Sequence, residues 1–116
     1  MLQPAGQATK IIMQSAAVAT GNGTAATCTS GSNGAHKKLA VQVVGITTAT
    51  ITWEATIDGT NWVGVLVAPI TTGTAALTAT ADGIFVVDVT GLTSFRARIS
   101  AWTAGTITVT GVLVAV

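Results

Sequence analysis

The sequence predicts an all-β protein: an antiparallel β-sandwich of jelly-roll character with eight to nine short strands. Three observations carry this. Thr, Val, Ile and Gly dominate while strong helix formers are sparse, and no apolar stripe with a 3.6-residue period persists. Two-residue alternation bounded by turn residues recurs instead, about every ten residues.

The first strand is expected at 9–18. Its opening, Lys10 followed by Ile11, Ile12 and Met13 and then Ala17-Val18-Ala19, imitates a secretion signal, but Gln14 and Ser15 interrupt the apolar run, so a strand is the better reading. A weaker strand follows at 24–29 and a stronger one at 38–46. The clearest is 50–57, where Ile51, Trp53, Ala55 and Ile57 share one face and Thr50, Thr52, Glu54 and Thr56 the other. Asp58-Gly59-Thr60-Asn61 then supplies a positive φ and side-chain caps, so 62–68 returns as the second arm of a hairpin.

Another weak strand is expected at 74–80. The Phe/Val-rich run 84–90 turns at Gly91-Leu92-Thr93 into 94–101, which predicts a second hairpin. In its return arm Phe95, Ala97, Ile99 and Ala101 alternate strictly with Ser94, Arg96, Arg98 and Ser100, which pins the register. The last strand, 106–116, sets Ile107 and Val109 against Thr106, Thr108 and Thr110, with Gly111 expected to mark a bulge. Residues 1–8, with Pro4 and Gly6, are expected as a flexible arm and 30–35 as a loop, leaving 9–116 as a single β-sandwich domain.

Charged residues make up 8% of the chain, against about 25% in ordinary soluble domains. So little charge does not oppose self-association, and coverage by partner subunits is expected. The basic residues Lys10, Lys37, Lys38, Arg96 and Arg98 are too few and scattered to follow a phosphate backbone, which argues against nucleic acid. No apolar run reaches the length of a transmembrane helix, so no membrane partner is expected. Cys28 is the sole cysteine and excludes an intrachain disulfide.

Candidate chemistry is sparse. His36 and Cys28 have no carboxylate at ligand spacing, so no metal is expected. Of the four carboxylates, Asp58 and Asp82 precede glycines as turn caps, while Glu54 and Asp88 lie within strands, as do Arg96 and Arg98, and should form cross-strand ion pairs. No nucleophile elbow, phosphate-cradling loop or paired-cysteine motif occurs, so no catalytic residue, no cofactor and no enzymatic activity are expected. Trp53 belongs to the core by its parity, whereas Trp62 follows a turn and Trp102 a strand end. The candidate interface is therefore Leu2 and Pro4 on the arm, together with Trp62, Arg96, Arg98 and Trp102.

The stretch Thr52-Trp53-Glu54-Ala55-Thr56-Ile57-Asp58-Gly59-Thr60-Asn61-Trp62, then Phe85-Val86-Val87-Asp88-Val89-Thr90-Gly91-Leu92 and Arg96-Ala97-Arg98-Ile99-Ser100, resembles small Thr/Gly/Ala-rich virion proteins of tailed bacteriophages. The resemblance covers 39–111. It implies a β-sandwich that assembles on the particle, commonly as a homotrimer, as a capsid decoration (cement) protein, head fibre or tail component. The short chain without fibrous repeats favours a cement protein on the capsid surface of the virion, with the major capsid protein as its partner. The Asp58-Gly59-Thr60-Asn61-Trp62 turn and the Arg96-Ala97-Arg98-Ile99 strand are also similar to discoidin-like, galactose-binding jelly rolls. That second resemblance implies, as the alternative, a tail or head-fibre component that binds carbohydrate during host adsorption.

Overall fold

The computed structural model describes residues 8–28 and 38–114. Their regular structure is all strand and every pairing of strands is antiparallel, in a sandwich-like arrangement, as the alternation predicts. The strands are β1 (Ala8–Ala17), β2 (Ala26–Thr27), β3 (Lys38–Thr56), β4 (Val63–Gly64), β5 (Ala68–Pro69), β6 (Thr78–Ala79), β7 (Gly83–Asp88) and β8 (Ser94–Val114).

Two long strands organise the molecule. β3 and β8 pair from Lys38↔Val114 to Thr56↔Ser94, with register shifts between Val44 and Ile51. The first half of β3 and the second half of β8 form one sheet in the order β1-β8-β3-β7-β5. Their other halves form a second sheet, where β2 adds to β8, and β4 and β6 add to β3. Odd-numbered residues point inward in both sheets: Leu39, Val41 and Val43, then Ile51, Trp53 and Ala55. β8 does the same with Phe95, Ala97 and Ile99, then Ile107, Val109 and Leu113. Each long strand thus bends from sheet to sheet and keeps one face on a common core. Trp53 sits at its centre, with ring centroids 5.2 Å from Phe85 and 6.1 Å from Phe95.

The bend is made by two facing glycines. Gly45 has φ +97° and Gly105 has φ +124°, conformations that side chains with a Cβ rarely adopt. They also approach closely: a Cβ on Gly45 would stand 1.8 Å from the Thr106 carbonyl oxygen, and one on Gly105 2.5 Å from that of Gly45. Asp82 fixes the irregular backbone here. Its Oδ2 accepts from the Gly45 N–H at 3.0 Å and its Oδ1 from the Ile46 N–H at 2.8 Å. Asp82→Ala is expected to lower stability by about 1 kcal/mol, seen as a shifted urea midpoint with an unchanged slope.

Several expectations change. The runs expected at 38–46 and 50–57 belong to one strand, β3, and those expected at 94–101 and from 106 on to another, β8, because the two strands bend together and keep their ladder through the irregular region. The second hairpin does not form: β7 lies between β3 and β5 in the first sheet and does not pair with β8. After β7 the buried Val89 and a turn closed by the Leu92 N–H on Val89 O carry the chain across, and the Thr93 N–H bonds Thr56 O at the start of the second sheet.

Gly111 is not a bulge. It stays in register with both Val41 and Ile11, and its missing side chain makes room, since a Cβ would press Leu39 Cδ1 and Met13 Sδ at 3.1 Å each. The first hairpin does form, through Glu54↔Gly64 and Ala55↔Val63, but its return strand is two residues long. At its tip Ile57 is exposed and Thr56 is buried, the reverse of the simple alternation, because Thr56 Oγ1 donates to Asp58 Oδ1 and accepts from the Gly59 N–H. Ala101 is likewise exposed rather than inward, where the ladder begins to shift. Leu2 and Pro4, the arm apart from Ala8, the loop at 30–35 and His36 lie outside the described residues.

Candidate interface on the second sheet

The outer face of the second sheet gathers most of the polar chemistry. Register sets Arg96 directly across from Glu54, and Arg98 follows two residues on along the same face. Arg96 Nε and Nη2 each lie 2.8 Å from Glu54 Oε1; Arg98 grips the carboxylate with both arms, Nε to Oε1 at 3.0 Å and Nη2 to Oε2 at 3.1 Å. These side chains are well covered, with 12% of Glu54, 17% of Arg96 and 35% of Arg98 exposed. Burial alone would raise the Glu54 carboxyl, but the hydrogen bonds from Arg98 and Arg96 and their charges outweigh it and hold it below its ordinary value. Beside the cluster Thr52 Oγ1 donates to Ser100 Oγ at 2.7 Å, and Ser100 Oγ donates to Thr50 O at 3.3 Å.

Trp62 is delivered to this face by the turn before it. Asp58 Oδ1 accepts from the N–H groups of Thr60 and Asn61, both at 2.8 Å, and Oδ2 accepts from Asn61 Nδ2 at 2.8 Å. Those bonds, the Asn61 backbone first, hold the Asp58 carboxyl far below the usual range. So fixed, the half-buried Trp62 lies under the Arg96 guanidinium, 4.1 Å from its ring centroid, in a cation–π contact.

Three of the interface residues expected from sequence, Trp62, Arg96 and Arg98, are therefore brought together around Glu54. Glu54 was legible as an ion-pair partner by its parity and became part of the site through register alone. Trp102 is placed apart: its Nε1 donates to Gly105 O at 3.0 Å and its ring packs on the core, buttressing the bend. Asp88, the other strand carboxylate, does not join the arginines. It accepts from the Thr90 N–H at 2.9 Å and faces Lys38 at 3.5 Å in an exposed pair, and its carboxyl is lowered first by the Thr90 bonds.

An open hollow of about 550 Å³ lies at the end of the same sheet, bordered by Ile57, Val63, Val65 and Leu92. Its polar rim is Asp58 and Asn61, and the Asp58 carboxylate is already engaged by the backbone and side chains of its own turn. The hollow can accept an apolar group but supplies little to orient a reacting one.

Among the described residues no three of His, Cys, Asp and Glu gather as a metal site. Cys28 is buried, and burial pushes its thiol up to about 11, so it stays protonated and unreactive at neutral pH. Each carboxylate is occupied: Glu54 by arginines, Asp58 and Asp88 by turns, Asp82 by the bend. Among the described residues no helix is long and apolar enough to cross a membrane.

Fold and site together define an all-β, sandwich-like module in which the carboxylates and arginines described brace strands and turns. No protein family and no curated protein matches the sequence. Two solved structures share its fold. The SPBc2 prophage-derived protein YomS is 17% identical with a TM-score of 0.82, and 98% of each chain is covered. The PBSX exported protein XepA is 16% identical with a TM-score of 0.87, over 98% of this chain but 40% of that one. At these identities the likeness establishes a common fold.

Proposed function

We propose that this chain is a structural protein of a tailed-phage virion, and within that class a capsid decoration protein on the outside of the head. The observation that carries the reading is the end-to-end fold match to a prophage-derived protein, 98% of each chain. The engagement of every carboxylate in structural bonds supports it.

The mechanism is mechanical. Trp62, Arg96, Arg98 and Trp102, with Leu2 and Pro4 of the arm, touch neighbouring subunits of the major capsid protein. Burial of apolar surface contributes about 25 cal/mol per Å², less the cost of association. Self-association multiplies the effective affinity, since each copy added to an assembly docks at high local concentration.

Particles stripped of the protein should disrupt at a lower temperature when heated, and adding the purified chain back should restore it. Identical disruption temperatures with and without the chain would remove the reading. The carbohydrate alternative meets a geometric obstacle, because one face of Trp62 is covered by Arg96. It would be supported instead by glycan binding that disappears in Trp62→Ala.

A further inference from the structure

The two outer faces of the sandwich differ in kind. The second sheet presents Glu54, Arg96 and Arg98, satisfied among themselves. The first sheet presents a cross-strand row of Ile12, Thr110, Gln42 and Ile84, extended to Ile70 by the bond from its N–H to Ile84 O. The adjoining row is Val112, Ala40, Val86 and Ala68, ending at Lys10 on β1. Ile12, Ile70, Ile84 and Val86 are exposed. Among the described residues the charges on this face stand at its margins: Lys10 on the β1 edge, and Lys38 with Asp88 at the end of β3 and β7.

We propose that this face is where a second copy of the chain docks, the two first sheets packing face to face about a two-fold axis along the strands. Such an axis lays β1 of one copy over β5 and β7 of the other. Lys10 of each copy then comes toward Asp88 of its mate, whose own contact with Lys38 is an exposed one at 3.5 Å. The uncharged middle meets itself with no like-charge repulsion. At about 4.8 Å between strands and about 3.3 Å per residue, five strands over 38–44 offer on the order of 500 Å² of flat sheet, which side-chain relief brings toward the roughly 800 Å² per partner of a stable interface. One self-facing patch closes as a pair, whereas a ring needs two different patches, so the geometry argues for two copies rather than the three the phage resemblance implies. The second sheet is left free for the shell, and the pairing rests on the virion reading only for that use.

The test is sedimentation of the full chain over a concentration series, with circular dichroism to confirm folding. Wild type should sediment as a two-copy species. Ile84→Glu should raise its dissociation constant by more than about tenfold. Lys10→Glu should weaken the pair, and Lys10→Glu combined with Asp88→Lys should recover it, an outcome that misfolding cannot imitate. A wild-type monomer at tens of micromolar, or a pair indifferent to folded Ile84→Glu and to the charge exchange, overturns the proposal. A monomer that decorates shells, and stops doing so in Ile84→Glu, assigns the face to the shell instead: the pairing then fails while the virion reading stands.

Discussion

Replacing Gly45 by alanine is expected to destabilise the protein by about 3 kcal/mol, enough to lower the melting temperature of a domain this size by at least about 10 °C. Two costs combine. The residue must hold φ +97°, where a Cβ is strained, and the added carbon would stand 1.8 Å from the Thr106 carbonyl oxygen. A carbonyl in a ladder cannot rotate away like the end of a long side chain, so β3 and β8 must separate where they bend between sheets. Both sheets depend on that bend, because each contains half of each long strand. Gly59→Ala separates the two costs: its φ is +80° but nothing lies within 4 Å of the added Cβ, so strain alone should appear, about 1 kcal/mol. Equal losses in the two variants would show that the close approach contributes nothing.

That bend also marks the limit of what the residues foretell. Alternation identified the core from 50–57 and 94–101 because a buried face and a ladder share the period of two; Trp53, Phe95, Ala97 and Ile99 are all inside. The same rule cannot say whether a glycine ends a strand or bends it. Gly45 falls within the expected strand 38–46 and Gly105 between two expected strands, yet Val43 and Ala49, on either side of Gly45, both face inward. An inward residue on both sides of an irregular stretch is the signal that would have joined the two runs.

Pairing partners were the least legible. The turn at Gly91-Leu92-Thr93 looks alike whether the chain doubles back in one sheet or crosses to the other, since either needs the same backbone reversal. What decides it is long-range: β7 finds its partner in the first half of β3, and β8 begins against the end of β3. At the candidate interface, residue types and faces were visible beforehand, so Glu54 could be matched with Arg96 and Arg98. The position of Trp62 under Arg96 was not, because it depends on how the Asp58 carboxylate winds the preceding turn.

Removing the carboxylate in Glu54→Ala is expected to cost about 2 kcal/mol at neutral pH, since it leaves two largely covered guanidinium groups side by side without a counter-charge. Arg96→Ala should cost less, because Arg98 still holds Glu54 with both arms. The pair also sets a pH dependence of definite sign. Glu54 is held below its ordinary value of 4.5 in the folded chain, so its contribution is complete above that value and is lost as pH falls through the lower folded value. Asp58 and Asp88 are displaced in the same direction and add to the acid sensitivity. Urea titrations of wild type and Glu54→Gln should therefore show a stability gap at pH 7 that narrows progressively below pH 4.5. A gap that stayed constant into acid would mean that shape and hydrogen bonding, rather than the carboxylate charge, hold Arg96 under control. In that case the protonated carboxyl would serve as well as the carboxylate, and the placement of Trp62 under the guanidinium would owe nothing to the charge on Glu54.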